Sequence, residues 1–138
     1  MADIRYEINN SVSTADFSSL LKSSIFGERR PIDDIECIKG MLKNSKLTIS
    51  AWDNNKLVGI SMSVTGFNYC CYLSDLVVDK EYQGQGVGEE LLKITKKSLR
   101  TFCMIILLSA PDALEYYPHL GFNKHESAGL LSPENKIQ

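Results

Sequence analysis

Gln83-Gly84-Gln85-Gly86-Val87-Gly88 decides how this chain is read. An apolar run, Leu73 to Val78, precedes it and has the length and composition of a strand. A helical pattern, Glu89 to Phe102, follows it. Three alternating glycines at a strand-to-helix junction leave backbone N–H groups uncovered at the positive end of a helix dipole, a setting that suits phosphate. The spacing then sorts the phosphate ligands. A dinucleotide loop, G-x-G-x-x-G, needs glycine at 89, where Glu89 stands. A nucleoside triphosphate loop needs a glycine followed by Lys-[Ser/Thr], and no glycine here has that sequel. Glu89 favours the dipole but competes with a phosphate placed very close to it. The pattern that remains is [Gln/Arg]-x-x-Gly-x-Gly, carried by Gln83, Gly86 and Gly88. Taken alone, it also describes a glycine-rich turn that lets a helix pack closely on a strand.

A second stretch breaks that tie. Tyr116-Tyr117-Pro118-His119-Leu120-Gly121-Phe122 follows after room for a helix, a strand and a short helix. Core aromatics near a helix end, with Gly121 as the C-cap, account for part of it. They do not account for its register behind a matching glycine loop. Together the two motifs resemble the pyrophosphate loop and the aromatic-Tyr-x-x-Leu-Gly-Phe signature of the GNAT superfamily of acetyl-CoA-dependent N-acetyltransferases. The resemblance covers about residues 46 to 126, and the first 45 residues are far less diagnostic.

Composition bounds the alternatives. The chain has 138 residues, enough for one domain spanning 1–138 with an ordinary core. A net charge of −2 argues against a nucleic-acid partner, which calls for clustered basic surface. Lys93, Lys96, Lys97 and Arg100 form a stripe at helical spacing, read as a solvated face complementing the helix C-terminus. Attraction of an anionic cofactor is the other reading of that stripe. Cys37, Cys70, Cys71 and Cys103 show no metal-ligand spacing, so no metal is expected. The acidic, h-region-free N-terminus and the lack of a membrane-length apolar segment lead to the expectation of a reduced, cytoplasmic protein. The sequon Asn9-Asn10-Ser11 is then incidental.

Along the chain, Ile4 to Asn9 alternates like an edge strand. Ser13 or Thr14 caps a helix to about Ile25, with Phe17, Leu20, Leu21 and Ile25 inward. Asp33 or Asp34 starts a second helix with Ile35, Ile38, Met41 and Leu42 inward. Leu47 to Trp52 and Lys56 to Val64 read as strands joined at Asp53-Asn54-Asn55, where asparagine tolerates positive φ. Cys70 to Val78 is a third strand after the turn Gly66-Phe67-Asn68. The long helix is expected to bury Leu92, Thr95, Leu99 and Phe102. Met104 to Leu108 reads as a strand covered on both faces. Pro111 permits a short helix, Asp112 to about Tyr117, and strands are expected from Phe122 onward and at Ala128 to Leu131. Trp52 reads as packing, and His119 and His125 as surface residues. The order β-α-α-β-β-β-α-β-α-β is that of the GNAT fold. The resemblance implies an α+β (three-layer α/β) acyl-CoA N-acyltransferase fold, a mixed, mostly antiparallel sheet flanked by helices. It also implies a central strand that splays from its neighbour to admit the cofactor.

The chemistry sets its own requirements. An amine with a lysine-like pKa of about 10.4 must lose a proton before it attacks a thioester, while a thiolate leaves readily. The resemblance implies that the backbone of Leu76, Val77 and Val78 pairs with pantetheine, with the Val77 N–H facing the thioester carbonyl. It implies that backbone N–H groups of Gln83, Gly84, Gln85, Gly86, Val87, Gly88 and Glu89 hold the pyrophosphate. It implies cofactor contacts at Ser109 and Ala113, and Tyr117 near the sulfur as general acid. A phenol of pKa about 10 carries its proton at neutral pH, as that role requires. A packed tyrosine with its hydroxyl at the surface is the plain alternative.

Three departures from the family pattern stand out. Tyr72 and Ser74 occupy the positions where many members carry a glutamate used as base or substrate anchor. The general base is left open between Asp75, Glu28 and water. Ala110 replaces a cofactor-contacting asparagine, for which Ser109 or the backbone compensates. Pro118 directly follows the catalytic tyrosine and is expected to end the short helix early. The acceptor side falls to the loop Phe26 to Asp34, whose mixed charges, Glu28, Arg29, Arg30 and Asp33, suit a small amine or amino-acid-like molecule. The expected function is acetyl transfer from acetyl-CoA to a primary amine of a small molecule by direct attack in a ternary complex, with no nucleic-acid or membrane partner. Transfer of another acyl group and a non-catalytic CoA-binding or sensor module are the alternatives. A homodimer pairing residues 127 to 138 across subunits is compatible with the resemblance.

Overall fold

A computed structural model describes residues 3 to 24 and 30 to 138, with Asp112 by its backbone alone. Ile25, Phe26, Gly27, Glu28 and Arg29, with the inward Ile25 and the base candidate Glu28 read from the sequence, lie outside the described residues. The contacts fall into two compact units, residues 1–108 and 109–138.

The first unit carries five strands: β1 (Arg5–Ile8), β2 (Leu47–Asp53), β3 (Lys56–Thr65), β4 (Cys70–Val78) and β5 (Met104–Ile106). They lie in the order β1-β2-β3-β4-β5, antiparallel except for the parallel β4–β5 pair. Asn54 takes φ 53° in the two-residue β2–β3 turn, the conformation expected of asparagine there.

Helices α1 (Thr14–Lys22) and α2 (Ile35–Asn44) begin at side-chain caps. Ser13 Oγ accepts the Asp16 N–H at 3.0 Å, and Asp34 Oδ1 accepts the Cys37 N–H at 3.1 Å. Each cap satisfies a donor that the first helical turn leaves orphaned. Phe17, Leu20, Leu21 and Ile38 pack from these helices against Trp52, Leu57, Ile60, Met62 and Val77. Helix α3 (Val87–Lys97) covers the opposite face, setting Val87 and Leu91 on Leu47, Ile49, Ala51 and Val58. The unit is thus three layers, helix-sheet-helix, with a core on each side of the sheet.

Gly59, on β3, sets how close α3 comes. A Cβ there would lie 3.0 Å from Val87 Cγ1 and 3.1 Å from Leu91 Cδ1. We expect Gly59→Val to cost about 1–3 kcal/mol through overpacking, read as a lower urea midpoint at unchanged m. Wild-type stability in that variant would mean that α3 does not depend on this contact.

Four expectations are corrected. Helix α3 starts at Val87 and ends at Lys97, before Phe102. The Ser98 hydroxyl donates to Ile94 O at 2.9 Å and the Arg100 N–H donates to Phe67 O at 3.0 Å, which draws the chain off the helix axis. Phe102 is consequently 83% exposed. Strand β5 spans three residues, and Met104 is 59% exposed, because β5 is the sheet edge while α3 packs on β2, β3 and β4. The second unit holds a 3₁₀ turn (Pro111–Ala113) and the four-residue helix α4 (Tyr116–His119), with no strand among its described residues. The stretches from Phe122 and from Ala128 to Leu131 join no ladder among the described residues, and a strand needs a partner for its backbone N–H and C=O groups. Pro118 sits inside α4, in its first turn, where its missing N–H costs nothing.

Candidate active site

The chain leaves β4 at Val78, makes one 3₁₀ turn (Lys80–Tyr82) and enters α3 through Gln83–Gly86. Gly84 and Gly86 take φ 77° and 82°, left-handed values that cost a residue with a Cβ about 1–2 kcal/mol. Gly86 is the N-cap of α3 and has no side chain to offer, so no side chain caps this helix. The first intrahelical bond runs from the Glu90 N–H to Gly86 O at 3.0 Å. Helix geometry therefore leaves the N–H groups of Val87, Gly88 and Glu89 without carbonyls of their own. A Cβ built on Gly84 or Gly86 meets no atom within 4 Å, so the space before the loop is open. Glu89, the carboxylate that would compete with a phosphate, pairs with Lys93 one turn along at 3.3 Å. Gln83 Nε2 and Gln85 Nε2 fold back onto Val78 O (3.4 Å) and Glu81 O (3.2 Å). The arrangement can hold a pyrophosphate through backbone donors and the helix dipole.

The strand that delivers the chain to this loop has a one-sided edge. Strand β4 pairs with β5 only at Cys70, Cys71 and Tyr72, opposite Met104, Ile105 and Ile106. From Leu73 onward its ladder among the described residues is with β3 alone, continuing to Val78 opposite Gly59. Leu76 and Val78 pack on the α3 side and Val77 on the α1–α2 side. The backbone of Leu76, Val77 and Val78 therefore borders a gap in the sheet that ends at the glycine loop. An extended, amide-bearing ligand can lie along such an edge as an added strand.

The ladder slips between Met62 and Ser63, leaving Ser74 as the extra residue on β4. Its hydroxyl donates to Met62 O at 3.1 Å, and its carbonyl accepts from Arg30 Nη2 at 3.1 Å. Next to this bulge Asp75 is buried, with Oδ1 2.5 Å from Arg30 Nε. The carboxylate read as a base candidate thus ties β4 to the segment before α2. Residues 30 to 36 wall an open hollow of about 740 Å³ on that side.

A second tie holds the glycine loop. The Tyr82 hydroxyl donates to Asp53 Oδ2 at 2.5 Å, reaching the end of β2. That bond to Asp53 is the main reason the Tyr82 phenol is pushed up to about 12, so it keeps its proton across the neutral range. Lys56 Nζ lies 5.4 Å from the Tyr82 ring centroid and 3.5 Å from Asp79 Oδ2.

Ser109, Ala113 and Tyr117 belong to the second unit. Tyr117 stands edge-on to Tyr116 and Phe122, with ring centroids 5.2 and 5.4 Å away. Its carbonyl accepts the N–H groups of Leu120 (2.9 Å) and Phe122 (3.1 Å), and Gly121 turns the chain at φ 98°. The aromatic motif is therefore a tight turn that fixes the tyrosine ring. The His125 imidazole accepts the Ser127 N–H at 3.2 Å in an exposed turn, consistent with a surface role.

Within the first unit, then, the structure brings together the β4 segment and the glycine loop that were read from the sequence. It adds three contributors that the motifs do not contain: Gly59, the Arg30–Asp75 pair and the Tyr82–Asp53 pair. Only Gly59 had a local signal, a glycine interrupting a strand pattern.

Solved structures share this architecture. A GNAT family acetyltransferase from Streptococcus pneumoniae TIGR4 matches with a TM-score of 0.78 at 19% identity, over 97% of this chain and 100% of that one. An aminoglycoside N-acetyltransferase solved in complex with CoA matches with a TM-score of 0.70 at 15% identity, over 98% of this chain and 97% of that one. The fold is that of the GNAT acyl-CoA N-acyltransferases. A family model described as an acetyltransferase (GNAT) domain matches residues 27–130, three-quarters of the chain. The chain belongs to the GNAT acetyltransferase family. An uncharacterized N-acetyltransferase of Pyropia yezoensis is 28% identical over 128 residues, 88% of this chain and 71% of that protein.

Proposed function

We propose that the chain is an N-acetyltransferase that moves the acetyl group of acetyl-CoA to a primary amine of a small molecule. The observation that carries this reading is the one-sided edge of β4 running into an uncapped, glycine-lined helix N-terminus. Those two features suit the two halves of CoA, an amide-bearing arm and a pyrophosphate. Family membership supports acetyl transfer, and the CoA-bound aminoglycoside enzyme of like fold supports a small amine as acceptor.

The reaction is direct attack in a ternary complex. The amine nitrogen bonds to the thioester carbonyl carbon as the Val77 N–H steadies the oxyanion, and the C–S bond then breaks. Asp75 is engaged by Arg30, which leaves the amine's proton to Glu28 or to water. The thiolate takes its proton from the Tyr117 hydroxyl.

The test is a panel of amines assayed by thiol release, with calorimetric binding of CoA alongside. We expect Tyr117→Phe to lower kcat by about 10²-fold while CoA affinity stays within twofold, as loss of a general acid requires. An unchanged kcat would remove Tyr117 from the mechanism. CoA binding without turnover on any amine would favour a non-catalytic CoA sensor.

A further inference from the structure

The glycine loop is flexible by composition, and its own side chains restrain it weakly. Gln83 and Gln85 are exposed and reach only local carbonyls. The 3₁₀ turn before it is anchored at its start. The Asp79 N–H donates to Val58 O at 2.9 Å, the Lys80 N–H donates to Ser23 O at 3.0 Å, and Asp79 itself is buried. The end of the turn, where the glycines begin, is anchored by Tyr82. Its hydroxyl reaches Asp53, distant in sequence, at the tip of the β2–β3 hairpin.

We propose that the Tyr82–Asp53 hydrogen bond is a latch that holds the glycine loop in its pyrophosphate-binding conformation and thereby sets cofactor affinity. The latch makes Tyr82 and Asp53 positioning residues. The inference rests on the reading that this loop takes the pyrophosphate of acetyl-CoA.

The physical argument is preorganisation. Glycine loses more backbone entropy on ordering than any other residue, and the loop carries it at 84 and 86, with Gly88 just inside α3. Whatever orders it before the ligand arrives lowers the cost of binding. The bond joins a hydroxyl to a carboxylate, among the stronger classes of hydrogen bond. The proton stays on Tyr82 far above neutral pH, so the latch holds over the whole physiological range. Charge makes the idea discriminating. Asp53 is anionic, so losing it without a latch would leave a nearby pyrophosphate unaffected or better bound. A latch requires the opposite sign.

The experiment is calorimetric titration of wild type, Tyr82→Phe, Asp53→Ala and the double variant. The probes are CoA and its fragment adenosine 3′-phosphate 5′-diphosphate, which keeps the pyrophosphate and lacks pantetheine. We expect each single variant to weaken both probes about three- to tenfold and the double variant to be no worse than either, the signature of one shared contact. With acetyl-CoA as substrate, KM should rise by the same factor while kcat stays within twofold. Phenylalanine keeps the ring beneath Lys56, so a general loss of packing is not expected. If Asp53→Ala does not fold, Tyr82→Phe carries the test alone, because it removes the donor hydroxyl and keeps the ring. Wild-type binding of CoA with all variants within twofold overturns the latch and leaves the functional reading standing. So does tighter binding by Asp53→Ala. Wild type that binds neither probe overturns the functional reading, and the latch with it.

Discussion

Gly86→Val should lower the affinity for acetyl-CoA at least tenfold. Gly86 is the N-cap of α3 at φ 82°, and valine, branched at Cβ, is among the residues least able to adopt that backbone. The chain then either carries about 1–2 kcal/mol of strain or swings the cap to negative φ. In the second case the N–H groups of Val87, Gly88 and Glu89 no longer converge on one ligand. A side chain at 86 also projects into the open space before the loop, where a Cβ meets nothing in the free protein. Geometry and blockage act in the same direction, and tenfold corresponds to about 1.4 kcal/mol. Calorimetry with CoA reads the result. Asn is tolerated in the left-handed region, so Gly86→Asn should keep the fold nearly at wild-type stability and lose less affinity. Wild-type affinity in Gly86→Val would show that the loop is not the pyrophosphate site.

Arg30→Met should be the most destabilising single change at this end of the sheet. Asp75 is buried and faces Arg30 at 2.5 Å. Removing the guanidinium strands a carboxylate away from water, which costs about 3–5 kcal/mol in comparable buried pairs. That is a drop in Tm on the order of 10 °C for a domain of this size. The double change Arg30→Met with Asp75→Leu should recover most of the loss, since an apolar pair of similar volume carries no desolvation penalty. If Arg30→Met melts like wild type, the pair does not hold β4 to the segment before α2. Kinetics on Asp75→Asn separates a second question. A loss of about 10²-fold in kcat in folded protein would make Asp75 the base; a change within a fewfold leaves the proton to Glu28 or to water.

Much of the architecture was legible because it is local. Strand β4 has its read boundaries, Cys70 to Val78, because apolar and turn residues mark both ends. Ser13 and Asp34 cap their helices because a short oxygen-bearing side chain satisfies a helical N–H wherever the next residues are helical. The glycine loop was legible because alternating glycines before a helical pattern have few other uses. The misreadings occurred where one segment's fate depends on another. Phe102 left the helix because Phe67, far away in sequence, takes the Arg100 N–H. Met104 and Ile106 read as doubly covered, yet β5 is an edge, and a strand's position in a sheet is a property of its neighbours. Residues from Phe122 onward, expected as strand, have no ladder among the described residues.

The sequence by itself determined the family, the glycine loop, the aromatic turn and the strand that leads to the loop. Each is a run of contiguous residues whose conformation follows from their own backbone preferences. Only the tertiary structure decided where β4 parts from β5, after Tyr72, that Asp75 is engaged by Arg30, and that Tyr82 is tied to Asp53. Those pairs join residues tens of positions apart. A carboxylate in a strand looks the same in sequence whether it faces water, an arginine or a substrate, because its chemistry is set by what folding places beside it.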